Sequence, residues 1–231
     1  MKKRCLILLI VGLLILCGCT QGSTKAPAGS SSLPVDDVMI ISHYGYYISG
    51  SFPGDYIKIF GEIENIGQYN LKSIKITADF YNGAGEIIRT DWTYVYADIL
   101  LPGEKAPFTF IEHASADKDY QTYEVGVTSC REATEEPYRD FEFLNISTYT
   151  DDDGGYHVAG ELKNAGSRDI DSVEVRATFY DEMGKVVAVS EGYLGFTEGL
   201  AAGETEPFDI RTLEEEASQK ITSYSLQTRV Y

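Results

Sequence analysis

The sequence predicts an all-β protein: two tandem β-sandwich domains behind an export leader and a flexible tether. Three observations carry the prediction. Ile74, Ile76, Ala78 and Phe80 alternate with Lys75, Thr77 and Asp79. This is the period-2 pattern of a strand with one buried and one wet face, and a helix would mix the two sets around its circumference. The same stretch is written again 99 positions on, where Val173, Val175, Ala177 and Phe179 alternate with Glu174, Arg176 and Thr178. The chain opens with a basic run and a short apolar run, the shape of a secretory signal.

Composition agrees. Of 231 residues, 43% are hydrophobic and 24% charged, which suits a folded chain rather than a disordered one. Length allows one or two domains, and the repeat decides for two. The 17 tyrosines suit pleated, half-buried surfaces. A formal net charge of −17 argues against nucleic acid as a partner, since its binding relies on Lys and Arg at phosphates. It also argues against charge-driven contact with anionic lipid.

In the leader, Met1-Lys2-Lys3-Arg4 is basic and Cys5–Leu16 is apolar. At about 12 residues the apolar run is too short for a bilayer core that needs ~20. Leu16-Cys17-Gly18-Cys19 follows and resembles the lipobox of lipoproteins. The resemblance implies a signal peptide over 1–18 and a lipidated Cys19 as first mature residue. Lipidation of Cys17 is the alternative, and it would put the bulky Leu16 at the cut. An uncleaved short anchor or an ordinary secreted protein are the other readings. Stable anchoring needs more than one acyl chain, which the family's diacylglycerol modification supplies. Residues 19–37 are then the lipidated cysteine and a tether rich in Ser, Gly, Pro and Ala. About 18 such residues reach roughly 25 Å.

The first sandwich is expected over 38–130. Val38-Met39-Ile40-Ile41 opens it, and Gly45, Gly50, Pro53 and Gly54 break the chain before a strand at Tyr56–Asn65. Asn65-Ile66-Gly67 turns into the strand ending at Phe80, and Asn82-Gly83-Ala84-Gly85 turns again, with glycine for the positive φ of a tight reversal. Trp92, Tyr94 and Tyr96 share a parity in the next strand; Pro102-Gly103-Glu104 turns, Pro107–Phe110 restarts, and Tyr123–Cys130 closes the copy. About seven short strands in ~93 residues is the rhythm of an immunoglobulin-like sandwich.

Residues 131–140 form a short acidic linker, and the second sandwich runs over 141–231. Gly61, Glu62, Asn65, Gly67, Phe80 and Gly85 recur 99 positions on, as Gly160, Glu161, Asn164, Gly166, Phe179 and Gly184. Gly103, Glu104, Pro107 and Phe108 recur 100 on, as Gly203, Glu204, Pro207 and Phe208. A one-residue slip would turn every core side chain outward, so the kept parity means one fold twice. Gly-Glu-x-x-Asn-x-Gly, a strand ending Phe-Tyr-(Asn/Asp)-x-x-Gly, and (Pro/Ala)-Gly-Glu-x-x-Pro-Phe together resemble the FxLYD domain family. Two departures stand out: the tyrosine follows Phe80 and Phe179 directly, and Ala202 replaces the proline of the turn. The resemblance implies an immunoglobulin-like sandwich on extracytoplasmic, often lipid-anchored proteins, with no catalytic activity.

The chemistry-bearing residues are few. His43, His113 and His157 lie at no metal-ligand spacing, and no nucleophile elbow, zinc-protease, P-loop or dinucleotide fingerprint occurs. No enzyme, cofactor or metal is therefore expected. Asp151-Asp152-Asp153 before Gly154-Gly155 could offer oxygen ligands to Ca²⁺, but it lacks the alternating spacing of a calcium loop and reads as a solvated turn. Trp92, Tyr94 and Tyr96 are a possible glycan-contact platform, with core or edge cover as the bland reading. The second copy has Glu191, Tyr193 and Gly195 at those places. Cys130 reads as a buried free thiol, with an intermolecular disulfide as the alternative. Asn145-Ile146-Ser147 is an N-glycosylation sequon within a predicted strand. The expected job is a lipid-anchored, outward-facing, non-catalytic binding or spacer protein on a membrane. Its expected partner is an envelope or extracellular protein or glycan. A carbohydrate- or wall-binding lipoprotein and an accessory subunit of an envelope complex are the rivals.

Overall fold

A computed structural model describes residues 34–48, 56–113, 120–194, 199–212 and 215–231. The leader and Cys19 lie outside them. The first repeat holds β1 (Val38–Ile48), β2 (Tyr56–Asn65), β3 (Leu71–Tyr81), β4 (Ile87–Tyr94), β5 (Ile99–Leu100), β6 (Lys105–His113) and β7 (Thr122–Glu132). The second holds β8 (Phe141–Thr150), β9 (Tyr156–Asn164), β10 (Val173–Tyr180), β11 (Val186–Leu194), β12 (Thr205–Arg211) and β13 (Ser223–Val230), with a four-residue helix at Glu215–Ser218. The fold is all-β, as the alternation predicts.

Each repeat is a sandwich of two antiparallel sheets. In the first, β1-β2-β6 faces a sheet in which β3 pairs with β4, β5 and β7. In the second, β8-β9-β12 faces β11-β10-β13, and a lone bridge from Ile170 to Leu200 stands where β5 pairs with β3. Both copies carry the same irregularity beside the repeated phenylalanine, between Phe80 and Tyr81 and between Phe179 and Tyr180.

The repeated motif residues are turn and core architecture. Asn65 and Asn164 are fully buried. The Asn65 amide donates to the carbonyls of Tyr69 and Leu100, both at 2.9 Å, and its oxygen accepts from Gly67 N. Asn164 donates to Arg168 O and Leu200 O at 2.8 and 3.0 Å and accepts from Gly166 N. Each amide ties the turn after the second strand to the opposite sheet. Glu104 and Glu204 accept the N–H groups of Leu101 and Ala201, closing the Gly-Glu turns with Gly103 and Gly203 at positive φ. Asn82 Oδ1 takes two backbone N–H groups of its hairpin, and Asp181 Oδ1 does the same in the second copy. Gly61 is demanded by packing, since a Cβ there would lie 2.1 Å from the Phe108 ring.

Phe80 and Phe179 are 1% and 0% exposed, each in its own repeat's core. Phe80→Ala and Phe179→Ala should each cost ~3–5 kcal/mol. Urea unfolding measures this, and unchanged midpoints would remove those rings from the core.

Three boundaries and one face differ from expectation. Pro34–Asp37, placed in the tether by its composition, is a 3₁₀ turn. Val35 packs on the first core, and Asp37 O accepts Ile66 N at 2.8 Å. Strand β7 continues past Cys130 to Glu132. In the linker, Tyr138 donates to Asn164 Oδ1 at 2.6 Å and Arg139 to Ile99 O at 2.9 Å, so it is fastened to both repeats. The face is the larger correction. Glu174, Arg176 and Thr178, the wet side of β10 by pattern, are only 1%, 4% and 1% exposed. Another sheet covers them.

Candidate functional site

The cover is the first repeat. Strand β11 lies across β2, β1 and β6. Phe60, on the outer side of β2, is 1% exposed and belongs to one buried cluster with Val187 and Val189 of β11. Polar contacts close around it. Tyr180 Oη donates to Glu62 Oε1 at 2.6 Å, and Val186 N donates to Ser42 Oγ at 3.1 Å. Arg229 Nε donates to Asp98 Oδ1 at 2.8 Å, and Gln227 Nε2 donates to Lys105 O at 2.5 Å. The buried charges are compensated: Arg176 pairs with Glu174 and with Glu191, and Tyr231 Oη donates to Glu174 Oε2 at 2.5 Å. Burial holds the Glu62 carboxyl above its ordinary pKa, opposed by the Tyr180 bond and by Lys105. Burial, then Glu62, pushes Tyr180 upward. All described residues thus belong to one compact unit.

The three aromatics of the possible platform separate at this contact. Strand β4 ends at Tyr94. Tyr96 turns the other way, packs on the second repeat's core, and carries Arg176 with its Cζ 3.4 Å from the ring centre. Tyr96 therefore leaves the platform, because the chain stops alternating one residue after β4. Trp92 and Tyr94 stay outside, 52% and 49% exposed, edge to face at 5.5 Å and 74°. Lys75 Nζ lies 4.3 Å over the indole. Beside them Thr77 bonds Thr128 at 3.0 Å, and Gly126 has open space above it. The result is a stepped face on the sheet of β4, β3 and β7, with one side of the indole taken by Lys75.

The acidic turn belongs to a closed network. Asp151 Oδ1 accepts Asp153 N and Gly155 N; its other oxygen accepts Arg211 Nε at 2.6 Å and meets His157 Nε2 at 3.2 Å. His157 Nδ1 is 2.7 Å from Asp209, and the ring stacks on Tyr149 at 4.3 Å. Burial alone would lower the His157 pKa, but the bonds to Asp209 and Asp151 hold it above the usual value. Arg211, then His157, holds Asp151 well below the usual carboxylate range. Among the described residues no group of three His, Cys, Asp or Glu stands together as a metal site. His43 bonds the Tyr123 hydroxyl at 2.9 Å; His113 ends β6, and its side chain lies outside the described residues.

Cys130 is free and 3% exposed, its thiol pushed up to about 11 by burial and Asp37. Asn145 sits exposed in β8 at φ 53°, its amide donating to Glu161 Oε2 at 2.6 Å. A cleft between the repeats, about 250 Å³, is lined by Tyr96, Leu100, Phe141 and Leu226 with Lys105 and Arg139. It is smaller than ordinary ligand pockets, and Arg139 is already committed to Ile99 O and Glu104. Among the described residues no helix is long and apolar enough to cross a membrane.

Glu112 is a second buried acid held above its ordinary pKa. Glu112, 5% exposed, accepts from Arg89 Nη2 at 2.9 Å, and its other oxygen forms an ion-pair contact with Arg89 Nε at 2.5 Å. Burial, then Asp91, raises its pKa from 4.5 to about 7, against the pull of Arg89. The folded value exceeds the unfolded one, so this contribution to stability is full below the unfolded pKa and fades as pH rises through about 7. In urea unfolding, Glu112→Gln should shrink the stability lost between about pH 5 and about pH 8. An equal loss in both proteins would clear Glu112 of that role.

No family model matches the sequence, and no curated protein does. Several solved structures resemble the chain loosely. One is a Bacteroides uniformis beta-glucuronidase 2, at 13% identity and TM-score 0.25, covering 68% of this chain and 21% of that one. Another is a glycosyl hydrolase family 2 member from Bacteroides cellulosilyticus DSM 14838, at 10% identity and TM-score 0.25, covering 68% and 23%. The chain thus spans about a quarter or less of those two structures, and the likeness carries no functional argument.

Proposed function

We propose that this chain is a lipid-anchored, extracytoplasmic, non-catalytic binding protein of FxLYD type, tethered through Cys19. Its binding surface is the outer face of β4, β3 and β7. One observation carries this choice of face: Trp92 and Tyr94 stay half exposed, while the matching face of the second repeat is covered by a whole sheet. Exposed aromatic area of this kind marks contact surfaces. The basic leader, the short apolar run and Leu16-Cys17-Gly18-Cys19 support the anchor.

Membrane fractionation tests the anchor. Cys19→Ser should release the chain, and quantitative retention would reject lipidation there. Trp92 is the sole tryptophan, so its emission reports directly on the face. Titration with the native envelope fraction should shift that emission, and Trp92→Ala should abolish co-sedimentation. Binding that survives Trp92→Ala would move the site elsewhere. The exposed indole also favours a second reading, carbohydrate binding. Here an oligosaccharide series shifts the emission, and no response to any glycan ends that reading.

A further inference from the structure

The open face of β4, β3 and β7 is a trough. At its middle level Thr77 pairs with Trp92 on one side and with Gly126 on the other. Side chains along that lane fall from an indole to a hydroxyl to nothing, and the space above Gly126 is open. The lane is about 10 Å long, two strand spacings. On one side of it stands Lys75, paired with Tyr94. On the other stands Asp79, paired with Thr90 and Glu124. Backbone rise sets these two walls about 13 Å apart, which leaves room for a single sugar ring.

The walls carry opposite charge. Lys75 Nζ lies 4.3 Å over the indole and makes no ion pair among the described residues. On the other wall Asp79 accepts the Thr90 hydroxyl, and Glu124 accepts the Tyr81 hydroxyl at 3.0 Å. A carboxylate offers about four lone-pair sites, so both acids keep acceptor capacity. In the second repeat the places of Lys75, Thr77 and Trp92 are held by Glu174, Arg176 and Glu191. There both carboxylates pair with the one guanidinium. The first repeat has neither acid at those places, and its cation is left without a counterion.

We propose that this trough takes one sugar ring bearing a carboxylate. The ring lays its C–H side on the indole, its carboxylate on Lys75, and its hydroxyls on Asp79 and Glu124. This names the ligand of the face already read as the binding surface, and it rests on that reading. One ammonium matches one negative charge. A phosphate monoester would bring up to two, opposite a wall that holds two carboxylates. A neutral ring would dry the ammonium without pairing it, which costs free energy. The acidic ring is a chain end or a branch, because the net charge of −17 repels a long polyanion.

The test follows Trp92 emission of the full chain in detergent. The probes are the methyl glycosides of glucose, galactose and mannose, and the same glycosides oxidised at C6 to the carboxylate. At least one acid form should reach half its effect at a concentration roughly tenfold below that of its neutral parent, the worth of one charge-assisted bond. Lys75→Gln should abolish that preference and Lys75→Arg should keep it, with an unchanged urea midpoint showing that each variant is folded. A preference that survives Lys75→Gln overturns the proposal. So does a 6-phosphate glycoside that outperforms every carboxylate. If acid and neutral forms act equally, the acidic ring is rejected while the carbohydrate reading stands. If no glycoside acts and an envelope fraction still shifts the emission, the sugar is rejected and the binding face stands.

Discussion

Phe60→Ala should destabilise the protein by ~3–5 kcal/mol, as full truncation of a buried ring does, and the damage should fall on the wrong repeat. Phe60 lies in β2, yet it is buried among second-repeat residues, 1% exposed beside Val187 and Val189. Its removal uncovers the polar stripe of β10, where Glu174 and Arg176 are 1% and 4% exposed. Water that reaches the pair restores the hydration its ions lost on burial and screens their attraction, so the contact should loosen as a whole. Hydrogen exchange is the discriminating measurement. Amides of β10 and β11 should lose protection, while those of the first repeat's inner strands lose less. A urea midpoint equal to the parent's would take Phe60 out of the contact.

Asn164→Ala should cost on the order of 3 kcal/mol, because it strands several buried groups at once. The amide satisfies the carbonyls of Arg168 and Leu200, and its oxygen takes Gly166 N and the Tyr138 hydroxyl. Asn65→Ala should behave similarly in the first repeat, where Asn65 makes three such bonds. Asn164 has Tyr138 as an additional partner, so the second-repeat change should be the larger of the two. Thermal and urea unfolding of both variants measure the order. Midpoints within error of the parent would mean that water satisfies the stranded carbonyls.

These residues show how much was legible. The period-2 pattern placed Ile76, Ala78 and Phe80 inward without any structure, because pleat geometry fixes which side a residue takes once one is assigned. The 99-residue offset exposed Asn65 and Asn164, Gly61 and Gly160, and the Gly-Glu turns as repeated features. It could not say whether repetition meant function or scaffold. The hydrogen bonds answer for scaffold. Pattern reading failed at Glu174, Arg176 and Thr178, where polarity suggested water. A polar side chain is compatible with burial once partners complete its bonds: Arg176 takes Glu174 and Glu191 and lies over the ring of Tyr96 from the other repeat, and Tyr231 donates to Glu174. One signal was available: Phe60 on an outward parity has Ala159 as its counterpart, and a lone ring on a wet face asks for a cover. Tyr96 departs from the parity of Trp92 and Tyr94 because, past the end of β4, no pleat sustains the alternation.

By itself, then, the sequence determined two copies of one β-sandwich, the inward residues of each, and the turns that hold them. All of these are settled by neighbours along the chain and by the alternation of a single strand. Only the tertiary structure decided that the two sandwiches meet through unlike outer faces, and that Trp92 and Tyr94 remain uncovered while Tyr96 does not. Which face is wet depends on what another part of the chain, far off in sequence, lays over it, and alternation records only that a strand has two sides.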